Sequence, residues 1–134
     1  MKAISIDLGG SHAALAVIED KSILISREIP VDSSVGLRPL LPALKTIIFD
    51  MLSQIGTRAE DCIGLAVSIC AMTKRDRVVS TNGKYEDAPG IDLPAWCQTE
   101  FGIPFALEND ARMALLGEWY AGAAQGAEDV VMIT

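Results

Sequence analysis

The feature that most constrains this chain is a short apolar run broken by an acid and closed by two glycines, Ile6-Asp7-Leu8-Gly9-Gly10-Ser11-His12. Upstream, Ile4, Ile6 and Leu8 alternate with Ser5 and Asp7, the two-residue period of a β-strand. Downstream, Ala13 to Ile18 is a second apolar run with no helix-start signal. Two strands joined across Gly9-Gly10 predict a β-hairpin, because both turn positions tolerate positive φ. Asp7 is the unexpected residue. A carboxylate at a strand end, before a turn without side chains, stands beside bare backbone amides. Such an elbow suits a phosphate: the glycines let its oxygens approach the main chain, the amides and Ser11 donate, and Asp7 can hold a hydrated Mg²⁺. A plain tight turn explains the same residues, so the motif alone leaves both readings open.

The chain has 134 residues, 50% of them hydrophobic and 22% charged, enough for one domain with a true core. A formal charge of −7 argues against a nucleic-acid surface, which needs clustered Lys and Arg. The one basic cluster, Lys74-Arg75-Asp76-Arg77, is broken by an acid and is expected to be a solvated loop. Cys62, Cys70 and Cys97 form no C-x-x-C pair, so neither a zinc site nor a disulfide framework is indicated. Cys62 and Cys70 flank an apolar run as small hydrophobes, and the setting implied is reducing and cytoplasmic. No apolar stretch is long enough to span a bilayer, and Met1-Lys2 leads straight into a strand, so neither membrane nor signal peptide is expected.

Lys21 to Pro30 reads as a third strand, making an antiparallel meander with the first two. From Leu37 the period changes: Leu41, Leu44, Ile48, Met51, Leu52 and Ile55 draw one apolar stripe along a helix that Gly56 can end. Cys62 to Cys70 is nearly continuous in apolar residues, the pattern of a strand buried on both faces. A short strand over 77–81 and a loop over 84–91 follow. Asp92 can cap a helix from Leu93 to Phe101, with Gly102 as its stop. Residues 103–107 form a further strand, 110–121 a helix, and 129–134 the start of another strand. The order implies an α/β domain: a mixed sheet of antiparallel meander and parallel strands, with helices packed on it. An unfinished apolar strand at Thr134 suggests one lobe of something longer.

Asn109-Asp110 lies where a strand gives way to a helix, the end of an open α/β sheet at which ligands bind. The helix dipole favours an ionised acid there. Asn and Asp are also preferred caps, and one can cap while the other faces a cleft.

The two stretches together, Asp7-x-Gly9-Gly10-Ser11-His12 and Asn109-Asp110-Ala111-Arg112-Met113-Ala114-Leu115-Leu116-Gly117-Glu118, carry a resemblance. The chain resembles the ROK family (repressors, open reading frames and sugar kinases), within the sugar kinase, actin and heat-shock chaperone superfamily. There the first turn usually reads D-x-G-G-T-K and the second motif N-D-A-N-A-A-A-x-G-E. Ser11 keeps the hydroxyl of the usual Thr, His12 replaces Lys, and Arg112 and Met113 replace small residues. Ser68-Ile69-Cys70-Ala71 stands where the family commonly carries Pro-Gly or Gly-Gly.

The resemblance implies a ribonuclease H-like α/β fold and the amino-terminal lobe of an ATP-dependent kinase of a hexose or amino sugar. By the same resemblance Asp110 is the catalytic base, and Asn109 and Asn82 are sugar contacts. Gly9, Gly10, Ser11 and His12 form the first phosphate loop, and Asp7 binds Mg²⁺ through water. Asn82 reads equally well as a turn asparagine. The implied partners are a small-molecule sugar, ATP and a carboxy-terminal lobe, with room for a homodimer and with neither nucleic acid nor membrane. A sugar-responsive transcriptional regulator, or a sugar-binding lobe without catalysis, is the alternative within the family. The missing helix-turn-helix ahead of the first strand counts against the regulator.

Overall fold

The computed structural model describes residues 1–134. Its centre is a five-stranded sheet in the order β3-β2-β1-β4-β7. Strands β1 (Lys2–Leu8), β2 (His12–Glu19) and β3 (Ser22–Pro30) form the expected antiparallel meander. Strands β4 (Cys62–Ile69) and β7 (Phe105–Asn109) continue the sheet in parallel, β1 pairing with β4 and β4 with β7. Strand β1 therefore has a neighbour of each kind, and the mixed sheet expected from the element order is the one observed.

Alternation sorts the side chains onto two unlike faces. Ile4, Ile6 and Leu8 of β1 and Ala13, Leu15 and Val17 of β2 point to one face and are buried. Helix α1 (Leu41–Gln54) covers that face with Leu44, Ile48, Met51 and Leu52. Helix α2 (Leu93–Phe101) lies beside it, with the Phe49 and Phe101 rings 5.2 Å apart and Lys45 ion-paired to Glu100. The start of the first helix is a single 3-10 turn over Arg38–Leu40, set by Pro39, before α1 proper begins. At α2 the local signals act as expected: Asp92 accepts from the Ala95 amide, and Gly102 takes the left-handed conformation at φ +67°.

The opposite face is made of small residues: Ala3, Ser5 and Asp7 of β1, Ala14 and Ala16 of β2, Ala66 and Ser68 of β4. Helix α3 (Asp110–Ala121) passes over it without burying any residue of its own. Strand β4 is thus fully covered on one face and only in part on the other, where Ser68 is buried and Ala66 is not, a correction to the expectation of burial on both. Ile63 is 54% exposed, and Gly64 and Ala66 are half-buried.

Three other expectations change. Met72–Lys74 forms a strand, β5, antiparallel to β6 (Arg77–Ser80), so the basic cluster is the tip of a hairpin rather than a free loop. Arg75 and Asp76 both take positive φ there, and the Asp76 carboxylate accepts from the Leu107 amide at 2.9 Å, tying the hairpin to β7. Strand β7 runs two residues further than its apolar core, because Glu108 and Asn109 pair with Ser68 and Ile69 while Pro104 has no amide to give. Residues 129–134 form no strand: no sheet edge lies alongside, and Val131 and Ile133 stay 87% and 94% exposed. Between β6 and α2 a strap, residues 81–92, is held by more than loop chemistry. Its Tyr85 is fully buried, and a 3-10 turn spans Ala88–Gly90. No helix is long and apolar enough to cross a membrane.

The apolar layer between α1 and the sheet carries the stability. Ile48, with no exposed surface, touches it from the middle of α1, so Ile48→Ala is expected to lower unfolding free energy by about 2–5 kcal/mol in urea titration.

Candidate functional site

Parallel strands deliver their carboxyl ends to one edge of the sheet, and the chemistry-bearing residues gather there. Asp7 of β1 stands opposite Ser68 of β4, and Ser68 opposite Glu108 of β7. One residue on, Leu8, Ile69 and Asn109 make the next row, and Asp110 opens α3 immediately after it. Adjacent strands are about 4.8 Å apart, so the ends of β1 and β7, which lead into the elbow and α3, lie about 10 Å apart along that edge.

The elbow itself is tightly stitched. The Gly9 amide donates to the His12 carbonyl at 3.0 Å, closing the turn. A Cβ on Gly9 would lie 2.8 Å from that carbonyl oxygen, which no real side chain allows. Neither Gly9 nor Gly10 has positive φ. The glycines are required for room rather than for left-handed backbone, a correction to the hairpin argument from sequence. The Gly10 carbonyl accepts from Ser33 at 3.2 Å, the Ser11 carbonyl from Val31 at 2.9 Å, and the Ser11 hydroxyl and His12 Nδ1 are 2.9 Å apart. The amides of Gly10 and Ser11 have no acceptor in the protein. Two unpaired N–H groups next to a hydroxyl make a concavity able to take an anion.

The strap fixes the elbow from behind. The Tyr85 hydroxyl donates to the Gly9 carbonyl at 2.5 Å, and the Tyr85 amide donates to the Ser33 carbonyl at 2.8 Å. Burial pushes the Tyr85 phenol up to about 12, which favours the protonated hydroxyl that donates to Gly9. Asp87 accepts from the Leu37 and Arg38 amides at 2.6 and 2.8 Å, pinning the strap to the first turn before α1. Signals for Tyr85 and Asp87 were absent from the sequence pattern, since a polar loop has no period to read.

Asp7 has an exposed carboxylate whose Oδ1 accepts a short hydrogen bond from the buried Ser68 hydroxyl, leaving Oδ2 free. Asn109 caps α3: its Oδ1 accepts from the Ala111 and Arg112 amides at 3.1 and 3.3 Å, and Nδ2 donates to the Ala71 carbonyl at 3.0 Å. One Nδ2 hydrogen is left over. Asp110 is exposed in the first turn. Asp7, Ser68 and Asp110 line the same open groove, of about 930 Å³, between α3 and the small-residue face. Asn82 is exposed on the strap and, like Gly9 to His12 of the elbow and the capping Asn109, lies outside that groove. Glu108 is turned away from it. The Thr73 hydroxyl at 2.6 Å, the Asn109 amide at 2.7 Å and Arg112 hold its carboxyl below the usual 4.5.

No cluster of three or more metal-ligating side chains exists. A lone carboxylate with one free oxygen, beside unpaired amides, fits a Mg²⁺ that keeps most of its waters and is shared with phosphate.

The sequence model of the ROK family matches residues 3–134, and the chain belongs to that family. The beta-glucoside kinase of Listeria monocytogenes is 26% identical over 136 residues, covering 100% of this chain and 43% of that protein. The glucokinase of Streptomyces coelicolor is 30% identical over 139 residues, covering 98% of this chain and 39% of its own length. Among solved structures, the ROK hexokinase from Thermus thermophilus superposes with a TM-score of 0.75 at 25% identity, over 94% of this chain and 39% of that one. The chain spans about two fifths of the length of these relatives.

Two measurements test the supports of the site. Tyr85→Phe leaves a buried carbonyl unpaired and is expected to cost about 1–3 kcal/mol in urea unfolding, with faster hydrogen exchange at the elbow amides. Glu108 is lowered in the folded state, so its contribution is complete above pH 4.5 and fades as pH falls through its folded value. The stability difference between wild type and Glu108→Gln should accordingly stay constant at neutral pH and shrink below 4.5 in acid-denaturation curves.

Proposed function

We propose that this chain is the amino-terminal lobe of an ATP-dependent sugar kinase that phosphorylates a hydroxyl of a hexose or amino sugar. The observation that carries the reading is that Asp110, at the helix start, and Asp7, which leads into a glycine elbow whose amides lack acceptors, line one groove. Phosphoryl transfer asks a protein mainly for positioning and charge stabilisation, and these two features supply one half of each.

In this reading Asp110 accepts the proton of the sugar hydroxyl as its oxygen bonds to the terminal phosphorus of ATP and the bond to the departing ADP breaks. The remaining Nδ2 hydrogen of Asn109 orients a neighbouring hydroxyl, and its cap bonds keep that amide from rotating. Asn82, on the strap and outside the groove, is a sugar contact by the family resemblance alone. The amides of Gly10 and Ser11, with the Ser11 hydroxyl and His12, cradle phosphate oxygens. Asp7, its orientation set by Ser68, holds a water of the Mg²⁺ shell, and that ion neutralises charge on the phosphates when bound. A carboxy-terminal lobe supplies the adenosine pocket and the second wall of the sugar site. Relatives named for β-glucosides and glucose favour a gluco-configured substrate.

The test is sugar phosphorylation by the full polypeptide that carries this chain, across a panel of hexoses, amino sugars and β-glucosides. Asp110→Asn is expected to lower kcat by roughly 10²- to 10⁴-fold while the KM for sugar changes little. Turnover unchanged by that substitution would remove Asp110 as the base.

A further inference from the structure

Phosphate at the elbow raises a charge problem. The chain carries a net charge of −7, and Asp7 itself lies at the mouth of the turn. Amide dipoles alone are weak partners for a polyphosphate in such a field. The nearest side chain to the open side of the elbow is Lys84: a Cβ built on Gly10 would meet its Cε at 3.0 Å and its Nζ at 3.1 Å. The ammonium group therefore lies against the backbone whose amides are unpaired.

Two further features bear on Lys84. Like Lys21, Arg27, Arg38, Lys74 and Arg75 it forms no ion pair, so its ammonium is free to meet an anion, whereas Lys2, Lys45, Arg58, Arg77 and Arg112 each have a carboxylate within reach. The acids beside it on the strap are already engaged, Glu86 by the Thr81 hydroxyl and the Gly83 amide, Asp87 by the Leu37 and Arg38 amides. The backbone that carries it is fixed on both sides, since Tyr85 is buried with its hydroxyl on Gly9. A flexible cation is carried on a fixed backbone, beside two unpaired amides, with no acid paired to it.

We infer that Lys84 is a phosphate-contacting residue of the elbow, which rests on the phosphate reading of Gly9 to His12 given above. The strap then has two roles in one stretch. Asn82 addresses the sugar and Lys84 the phosphate, while Tyr85 between elbow and strap keeps the two in register. The room that Gly10 leaves is the room this ammonium occupies, because a Cβ there would push it away.

The experiment is calorimetric titration of inorganic tripolyphosphate into the full polypeptide that carries this chain, at low salt, comparing wild type, Lys84→Met, Lys84→Arg and Ser11→Ala. Lys84 is exposed, so its substitutions should leave the circular dichroism spectrum unchanged. Loss of a charge-assisted contact predicts about tenfold weaker binding for Lys84→Met, with Lys84→Arg retaining most of the affinity. Tripolyphosphate that binds Lys84→Met as tightly as wild type, yet binds Ser11→Ala more weakly, would overturn the role of Lys84 and leave the phosphate elbow standing. Absence of any binding by the wild type would overturn the elbow reading and this inference with it.

Discussion

Strand β1 is bonded along both edges, antiparallel to β2 and parallel to β4, and this double pairing governs what lies around it. Its carboxyl end belongs at once to a hairpin and to a parallel sheet. The hairpin demands a tight reversal with no bulk. The parallel neighbours bring their own carboxyl ends to the same edge, where ligand sites of open α/β sheets form. Asp7, Ser68 and Glu108 fall in one row as a consequence of register, not of any attraction between them. Glu108 faces the β5–β6 hairpin, so only the first two of that row, with Asp110, reach the groove.

The two faces of the sheet show a division of labour built from side-chain size. On one, Ile, Leu and Val pack under α1 and α2 and carry the stability. On the other, Ala and Ser leave the backbone nearly bare, and α3 rests above with Leu116, Trp119 and Tyr120 each at least half exposed. Larger residues at Ala14, Ala16 or Ala66 would fill the groove and thicken the layer between helix and sheet. The same smallness that gives little cohesion gives space.

Elements with a local cause were legible in the sequence. The alternation of β1, the stripe of α1, the cap at Asp92 and the stop at Gly102 all depend on residues within a turn or two of one another. What depends on distant partners was not. Residues 129–134 have the composition of a strand and lack an edge to join, while Met72–Lys74, with no pattern at all, becomes a strand because β6 folds back on it. At the site, Asp7, the glycines, Asn109 and Asp110 stood out by spacing, and the division of Asn109 to the cap and Asp110 to the groove needed coordinates. Tyr85 and Lys84 lay in a polar stretch without periodicity, where their meaning comes wholly from what the strap touches.

The bond from the Tyr85 hydroxyl to the Gly9 carbonyl joins residues 76 positions apart. Loop-closure entropy makes such a contact late relative to the hairpin it supports. During synthesis the amino-terminal turn leaves the ribosome long before the phenol that will lock it. The nascent chain must therefore carry that turn without its phenol lock until residue 85 has emerged and the strap can reach it.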